Sequence, residues 1–329
     1  MTQQGKTSEG AESDRIWLFR FLRLMFPLKA DSVDIKAGLD LKDRFIPPKL
    51  YKFRSHCDSH LDALRRGVLF SSSPDRLNDP LEAYLYFDYD RILTEDISLS
   101  EQSAKIEALR TGRPSPDLSP RAYDMVESGA RARAYIQQFV DEGEIHPLAA
   151  QILLKMMNEK GAEMEELLWD TLRAQIGIVS LTENLLSPLM WTHYSSGQTG
   201  FCIEYNFQDL PSEDVLRATC YPVVYSAKPR DVTGYFSAPH KKRNTFIAPY
   251  LAMIKSTDWA YEKEWRIITL LGRQRANGPI SMPRPSAIYL GPAAKSETAA
   301  ELRSICESQK IPLRHLIRQR RSFALSVAT

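Results

Sequence analysis

The chain has 329 residues, 43% of them hydrophobic and 26% charged, with a formal net charge of +2. That length suits one large or two ordinary domains with a substantial core. The near-neutral balance rules out bulk positive charge as the mark of a nucleic-acid binder. Cys57, Cys202, Cys220 and Cys306 are widely scattered with no CxxC pair, so they read as small buried residues in a reducing, cytoplasmic setting, and no zinc site is expected.

Residues 1–12 are polar and small and read as a disordered tail. Residues 13–47 then form a helix and linker. The apolar run Ile16–Phe26 is interrupted by Arg20 and Arg23 and ended by Pro27. It is too short to span a bilayer, and it lies too far into the chain, without a small-residue cleavage site, for a signal peptide. A helix packed on the protein's own core, or on a second copy in a homodimer, is favoured over one lying on a membrane surface. From residue 48 the chain reads as a single α+β domain. Leu50–Ser55 alternates as a strand, Ser59–Gly67 reads as a short helix capped by Ser59, and Val68–Ser73 as a second strand. The turn PDRLNDPLEA follows, in which Asn78 and Asp79 either hold their own backbone or fix a ligand.

Between about 98 and 176 the periodicity is helical, predicting an inserted helical subdomain with apolar stripes such as Ile152, Leu153, Met156 and Met157. Strand character returns at Ile176–Asn184. Next come Trp191, His193 and Tyr194, a glycine-containing turn and the strand FCIEYNF. His193, flanked by aromatics beside a turn, is a candidate acid–base residue. Cys220–Ser226 reads as one strand, His240–Arg243 as a basic cluster, and Asn244–Ser256 as a helix broken by Pro249. Ser286–Gly291 reads as a strand, Ser296 as the cap of a helix, and Leu313–Arg320 as a basic final strand. The expected architecture is α+β, a mixed, mainly antiparallel or split sheet carrying the helical insertion.

The chemistry concentrates in Lys255–Ile268, KSTDWAYEKEWRII. A strand from about Tyr261 to Leu271 puts Glu262 and Glu264 on one face and Tyr261, Lys263 and Trp265 on the other. Two carboxylates that close repel each other, so burial or a shared ligand splits their pKa values.

Several stretches carry a family resemblance: YKFR (Tyr51–Arg54), FSSSPDRLNDPLEA (Phe70–Ala83), LMWTHYSSGQTGFCIEY (Leu189–Tyr205), VVYS (Val223–Ser226), KSTDWAYEKEWRI (Lys255–Ile267) and IYLG (Ile288–Gly291). In this order, over roughly residues 48–318, they resemble the bacterial domain of unknown function 2971 family. Its members are often found near phage-defence genes, which implies an effector or sensor role with a phage or toxin-system partner. The opening YKF, the short LxxLxxG helix and the following small-residue strand also resemble ADP-ribosyltransferases at the level of fold. That resemblance implies NAD as co-substrate and a nucleic acid or protein as acceptor. It sets Lys52 or Arg54 at the first-strand position, Tyr194 at the second, and Glu262 or Glu264 as the late acid. No His stands at Lys52, and the second motif lacks Ser-Thr-Ser.

Such a reaction builds an oxocarbenium-like cation that a carboxylate stabilises, directly or through the ribose 2′-OH. Glu264 is the expected key acid and Glu262 its partner at the acceptor. Tyr194 or Trp191 would stack on nicotinamide, Arg54 or Lys52 would hold the pyrophosphate, and Tyr51, Asn78, Asp79 and Arg266 complete the expected site. Two other readings stay open. A Mg²⁺-dependent nuclease would use Asp79, Glu82, Glu262 and Glu264, although Glu264 stands where the common nuclease core has Lys. A non-catalytic binding module would stack a base or ligand on Trp191, Tyr194 and Trp265. It would contact phosphates through His240–Arg243, Arg318, Arg320 and Arg321.

Overall fold

The computed structural model describes residues 8–86, 174–237, 243–270 and 277–328, with isolated positions between 140 and 173. Apart from those positions and its last residues, the expected helical insertion lies outside the described residues, as do His240, Lys241 and Lys242.

Three helices accompany the first strands: α1 (Ser8–Met25), α2 (Ile35–Asp43) and α3 (Asp58–Arg65). Later come α4 (Pro188–Tyr194), α5 (Ile247–Ala252) and α6 (Ser296–Gln309), besides two short helices at Val215–Ala218 and Thr233–Ser237. The strands are β1 (Lys49–Arg54), β2 (Val68–Phe70), β3 (Leu85–Tyr86), β4 (Ile176–Thr182), β5 (Phe201–Asn206), β6 (Cys220–Pro222) and β7 (Val224–Ser226). They continue as β8 (Arg230–Asp231), β9 (Ile254–Ser256), β10 (Glu264–Leu270), β11 (Pro279–Ser281), β12 (Ala287–Leu290), β13 (Leu313–Arg318) and β14 (Leu325–Val327).

Eight strands form the main sheet in the order β14-β13-β12-β5-β1-β4-β10-β6, which is open rather than closed into a barrel. Its pairs are antiparallel except β12–β13, which are joined through α6 and run parallel. The fold is therefore α+β with a mixed, mainly antiparallel sheet.

One seam in this sheet is incomplete. β1 pairs β5 along its whole length, from Lys49–Asn206 to Arg54–Phe201, yet it pairs β4 only at Tyr51–Thr182. Beyond that rung the two strands part, and Ser72 bonds Ile178 of β4 in both directions instead. The Lys52 ammonium reaches across the gap to the Ser180 carbonyl at 2.7 Å, satisfying an acceptor that a continuous ladder would have paired with backbone. The sheet is thus split where β1 and β4 diverge.

Burial divides along the pleat. Leu50, Val179, Leu181, Ile203, Ile267 and Ile288 face one cluster, with Leu61 and Leu64 of α3 and Leu302 and Ile305 of α6. Tyr51, Phe53, Cys202 and Tyr289 face the other, with Met190 and Trp191 of α4 and Leu316 and Leu325 of the C-terminal hairpin. α1 begins at Ser8, inside the segment expected to be a tail, and buries Phe21 and Met25 against Tyr221 and Met253 of its own chain. Arg20 and Arg23 remain exposed. No described helix is long and apolar enough to cross a membrane.

Local chemistry moves several expected boundaries. Cys57, not Ser59, is the N-cap of α3, and Gly67, at φ +65°, stops the chain just beyond it. Cys220–Ser226 is two strands, because Val223 turns the chain from β10 toward β9. Pro249 does not break α5; it sits in the first turn, where a missing N–H costs no intrahelical bond. The final strand ends at Arg318 and returns as β14. Gly200 opens β5 where a Cβ would overlap the Arg54 carbonyl, so this position requires glycine.

Candidate active site

The split between β1 and β4 opens into a cleft whose cavity is about 160 Å³, smaller than the roughly 300–1,000 Å³ usual for small-molecule sites. Lys52 and Arg54 of β1, His60 of α3, Asn78 and Glu82 of the preceding turn, Tyr194 of α4, and Lys255, Glu262 and Glu264 line it.

The two glutamates converge by a route different from a continuous strand. Thr257–Glu262 is a 3-10 helix, with the Ser256 hydroxyl accepting from the Asp258 N–H at its start. It ends at Lys263 in the left-handed region, φ 44°, and β10 begins only at Glu264. The Thr182 hydroxyl donates to the Glu262 carbonyl, and the Glu264 N–H donates to the Tyr225 hydroxyl at 2.8 Å. The Lys255 ammonium then bridges the pair, 2.6 Å from Glu262 Oε2 and 3.0 Å from Glu264 Oε2.

Arg266 occupies the centre of this cluster. Nη1 and Nη2 meet Glu82 Oε2 and Oε1 at 2.7 Å each, Nε meets Glu264 Oε1 at 2.8 Å, Nη2 meets Glu264 Oε2 at 3.0 Å, and Nη1 meets the Ala252 carbonyl at 2.6 Å. Those five bonds engage all five guanidinium donors, and the side chain is wholly buried. Arg266 is therefore an internal tie and does not reach a ligand, contrary to its expected place in the site.

The pKa values of the carboxylates divide accordingly. Burial works to raise Glu264, but the Arg266 guanidinium and Lys255 ammonium outweigh it and hold that carboxyl well below the usual range. Glu262 is raised, by burial first and by the Glu264 charge, against the opposing pull of Lys255. Its Oε1 accepts from the Tyr194 hydroxyl at 2.5 Å, and Asn78 Nδ2 donates to that hydroxyl at 2.8 Å. Burial and the Glu262 bond push the Tyr194 phenol up, keeping it protonated as a donor. Across the cleft, burial and the neighbouring Arg54 bring Lys52 down to about 7. Arg54 makes no ion pair with any described residue.

The expected site residues fall into two groups. Glu262, Glu264, Tyr194, Asn78, Tyr51, Lys52 and Arg54 line the cleft. Trp191 does not: its indole is fully buried, edge-on to Phe53, and donates to the Leu185 carbonyl at 2.7 Å, so it cannot stack on a ligand. Trp265 is likewise core. Asp79 accepts from the Leu81 N–H at 2.9 Å and shapes the turn that delivers Glu82. His193 is exposed and lies outside the cleft lining, with its ring 6.4 Å from Tyr261. For a metal, the difficulty is occupancy by cations: Lys255 and Arg266 already sit among Glu82, Glu262 and Glu264. No described group of three or more acidic, His or Cys residues forms a metal set.

Sequence reading assigned no role to Lys255 or His60. Lys255 heads the same conspicuous segment as the glutamates, and that position was its signal. His60, whose Nδ1 lies 2.9 Å from the Ser55 carbonyl, carried none.

The fold and the cleft define an α+β protein with a cleft lined by charged and polar side chains at a sheet split. The family described as Protein of unknown function (DUF2971) matches residues 190–267, less than half of the chain. The matched segment carries Tyr194, Lys255, Glu262, Glu264 and Arg266. No curated protein and no solved structure matches the chain.

Proposed function

We propose that the cleft binds NAD⁺ and transfers its ADP-ribosyl group, with Glu262 as the acid at the reacting centre. The observation that carries this reading is the hydrogen-bonded chain from Asn78 through Tyr194 to Glu262 on one wall, with Lys52 and Arg54 on the other. Three carboxylates face two cations fixed among them, and the one that still faces the cleft with a raised pKa is Glu262. Glu264, with both oxygens held by Arg266 and Lys255, positions these groups and does not reach substrate.

The residues fit the substrate. Arg54, with no ion-pair partner among the described residues, suits a pyrophosphate, Glu262 suits a ribose hydroxyl, and Asn78 and Tyr194 suit the carboxamide and ring at the scissile end. The N-glycosidic bond breaks with its electron pair leaving on nicotinamide. The acceptor, or water, adds to the anomeric carbon, and its proton passes to Glu262, whose raised pKa suits a base. Four unbridged cysteines support a reducing, cytoplasmic setting. The family resemblance supports a role as an effector in phage defence.

The test is nicotinamide release from NAD⁺ by the purified protein and by Glu262→Gln. Release by the wild type that falls at least a hundredfold in the variant is expected. Equal release by both, or no release together with no NAD⁺ binding by calorimetry, overturns the reading.

A further inference from the structure

The C-terminal hairpin carries charges of one sign on its exposed face. β13 and β14 pair through Leu316–Val327, Ile317–Ser326 and Arg318–Leu325, and the Gln319 N–H closes the turn on the Ala324 carbonyl at 2.9 Å. The tip, Arg320–Phe323, has Arg321 in the left-handed region at φ 62°. Arg314, His315, Arg318, Arg320 and Arg321 are all exposed. The segment from Ser308 onward contains no Asp or Glu, and none of these arginines has a carboxylate partner among the described residues. Phe323 stands free at the tip, 103% exposed.

A lone exposed arginine or phenylalanine is ordinary. Two arginines and an aromatic ring on a four-residue tip, with Arg318 at the end of β13 beside them and no carboxylate partner among the described residues, are not explained by folding. Leu316 and Leu325 anchor the hairpin's inner face beside Met190 and Trp191 of α4, so the tip gains nothing for the core by being basic or aromatic. Its position has a consequence for the cleft. Arg318 donates to Gln198 Oε1 through Nε at 3.2 Å and Nη2 at 3.0 Å. Gln198 lies in the turn that follows α4, the helix carrying Tyr194.

We infer that this hairpin binds single-stranded nucleic acid, with Arg318, Arg320 and Arg321 on the phosphates and Phe323 stacked on a base. A run of cations ending in one free ring suits a strand whose bases are unpaired and available for stacking. A duplex would offer its phosphates but no free base to Phe323. Only the strand's role as acceptor for the cleft rests on the transferase reading; the binding itself does not.

Fluorescence anisotropy with labelled single-stranded DNA and RNA oligonucleotides tests the inference on the full chain. Arg320, Arg321 and Phe323 are exposed, so circular dichroism is expected to show unchanged folding in their variants. Arg320→Ala/Arg321→Ala and Phe323→Ala should each weaken binding by about tenfold or more. The logarithm of affinity should fall with that of salt at a slope near −2 for three arginines. Glu262→Gln should bind the strand as the wild type does, which separates a failure of the cleft chemistry from a failure of this surface. Variants that bind like the wild type, absence of binding, or binding only to phosphatidylserine vesicles overturns the inference.

Discussion

Arg266 and Glu82, 184 positions apart in sequence, form a buried two-pronged ion pair with both contacts at 2.7 Å. It ties β10 to the turn before β3 and, through Glu264, fixes the floor of the cleft. Breaking a buried pair leaves an uncompensated charge, at a cost of about 3–5 kcal/mol. Lysine keeps the charge at position 266 but cannot supply five donors in a fork. Arg266→Lys should therefore lower stability by several kcal/mol in urea unfolding. A loss under about 1 kcal/mol would show that the tie is dispensable.

Lys52 should titrate near pH 7, and the group can be followed by NMR of its ¹³C-methylated amine. Burial and Arg54 lower it, while Glu264 and Glu262 oppose them. Its ordinary value is 10.5 and its folded value about 7, so between those limits the unfolded chain binds more protons. Stability therefore rises with pH across that window, and the penalty is fully present below about 7. Lys52→Met should flatten the slope of unfolding free energy between about pH 7 and 10. A midpoint above about pH 9.5 would contradict the depressed value.

Trp191 should matter for folding and not for a ligand. Its indole fills the core beneath α4 and donates to Leu185. Trp191→Ala should cost about 3–5 kcal/mol of stability, while Trp191→Phe, which keeps an aromatic ring but loses the donor, should cost less. If Trp191→Phe folded normally yet abolished NAD⁺ binding in calorimetry, the side chain would have to be a ligand contact after all.

The sheet strands were legible where apolar residues run or alternate: Ile176–Thr182 and Phe201–Asn206 appear where periodicity places them. The convergence of Glu262 and Glu264 was legible too, but its geometry was not. Capping by Ser256 and the left-handed Lys263 replace three residues of expected strand with a 3-10 turn. Aromatic content misled at Trp191, because a ring beside a turn reads the same whether it faces solvent or core. The partners that separate the roles of Glu262 and Glu264 are Tyr194, Arg266 and the distant Glu82. No local pattern reports a contact across 184 positions.

The two central glutamates should fail differently when neutralised. Glu264 receives three bonds from Arg266 and Lys255 and stays ionised at any ordinary pH, because those cations outweigh its burial. Glu264→Gln removes the negative charge from beneath two buried cations, so a loss of about 3–5 kcal/mol is expected, read as a fall in urea midpoint. Glu262 is raised, by burial first, and Lys255 still has Glu264 and Glu82 as partners when Glu262 is neutralised. Glu262→Gln preserves the shape and one acceptor oxygen, so its stability should stay within about 1 kcal/mol of wild type. Nicotinamide release should nevertheless disappear in Glu262→Gln, while any Glu264→Gln protein that remains folded should retain measurable release. If the pattern were reversed, with Glu262→Gln unstable and Glu264→Gln stable but inactive, the acid at the reacting centre would be Glu264.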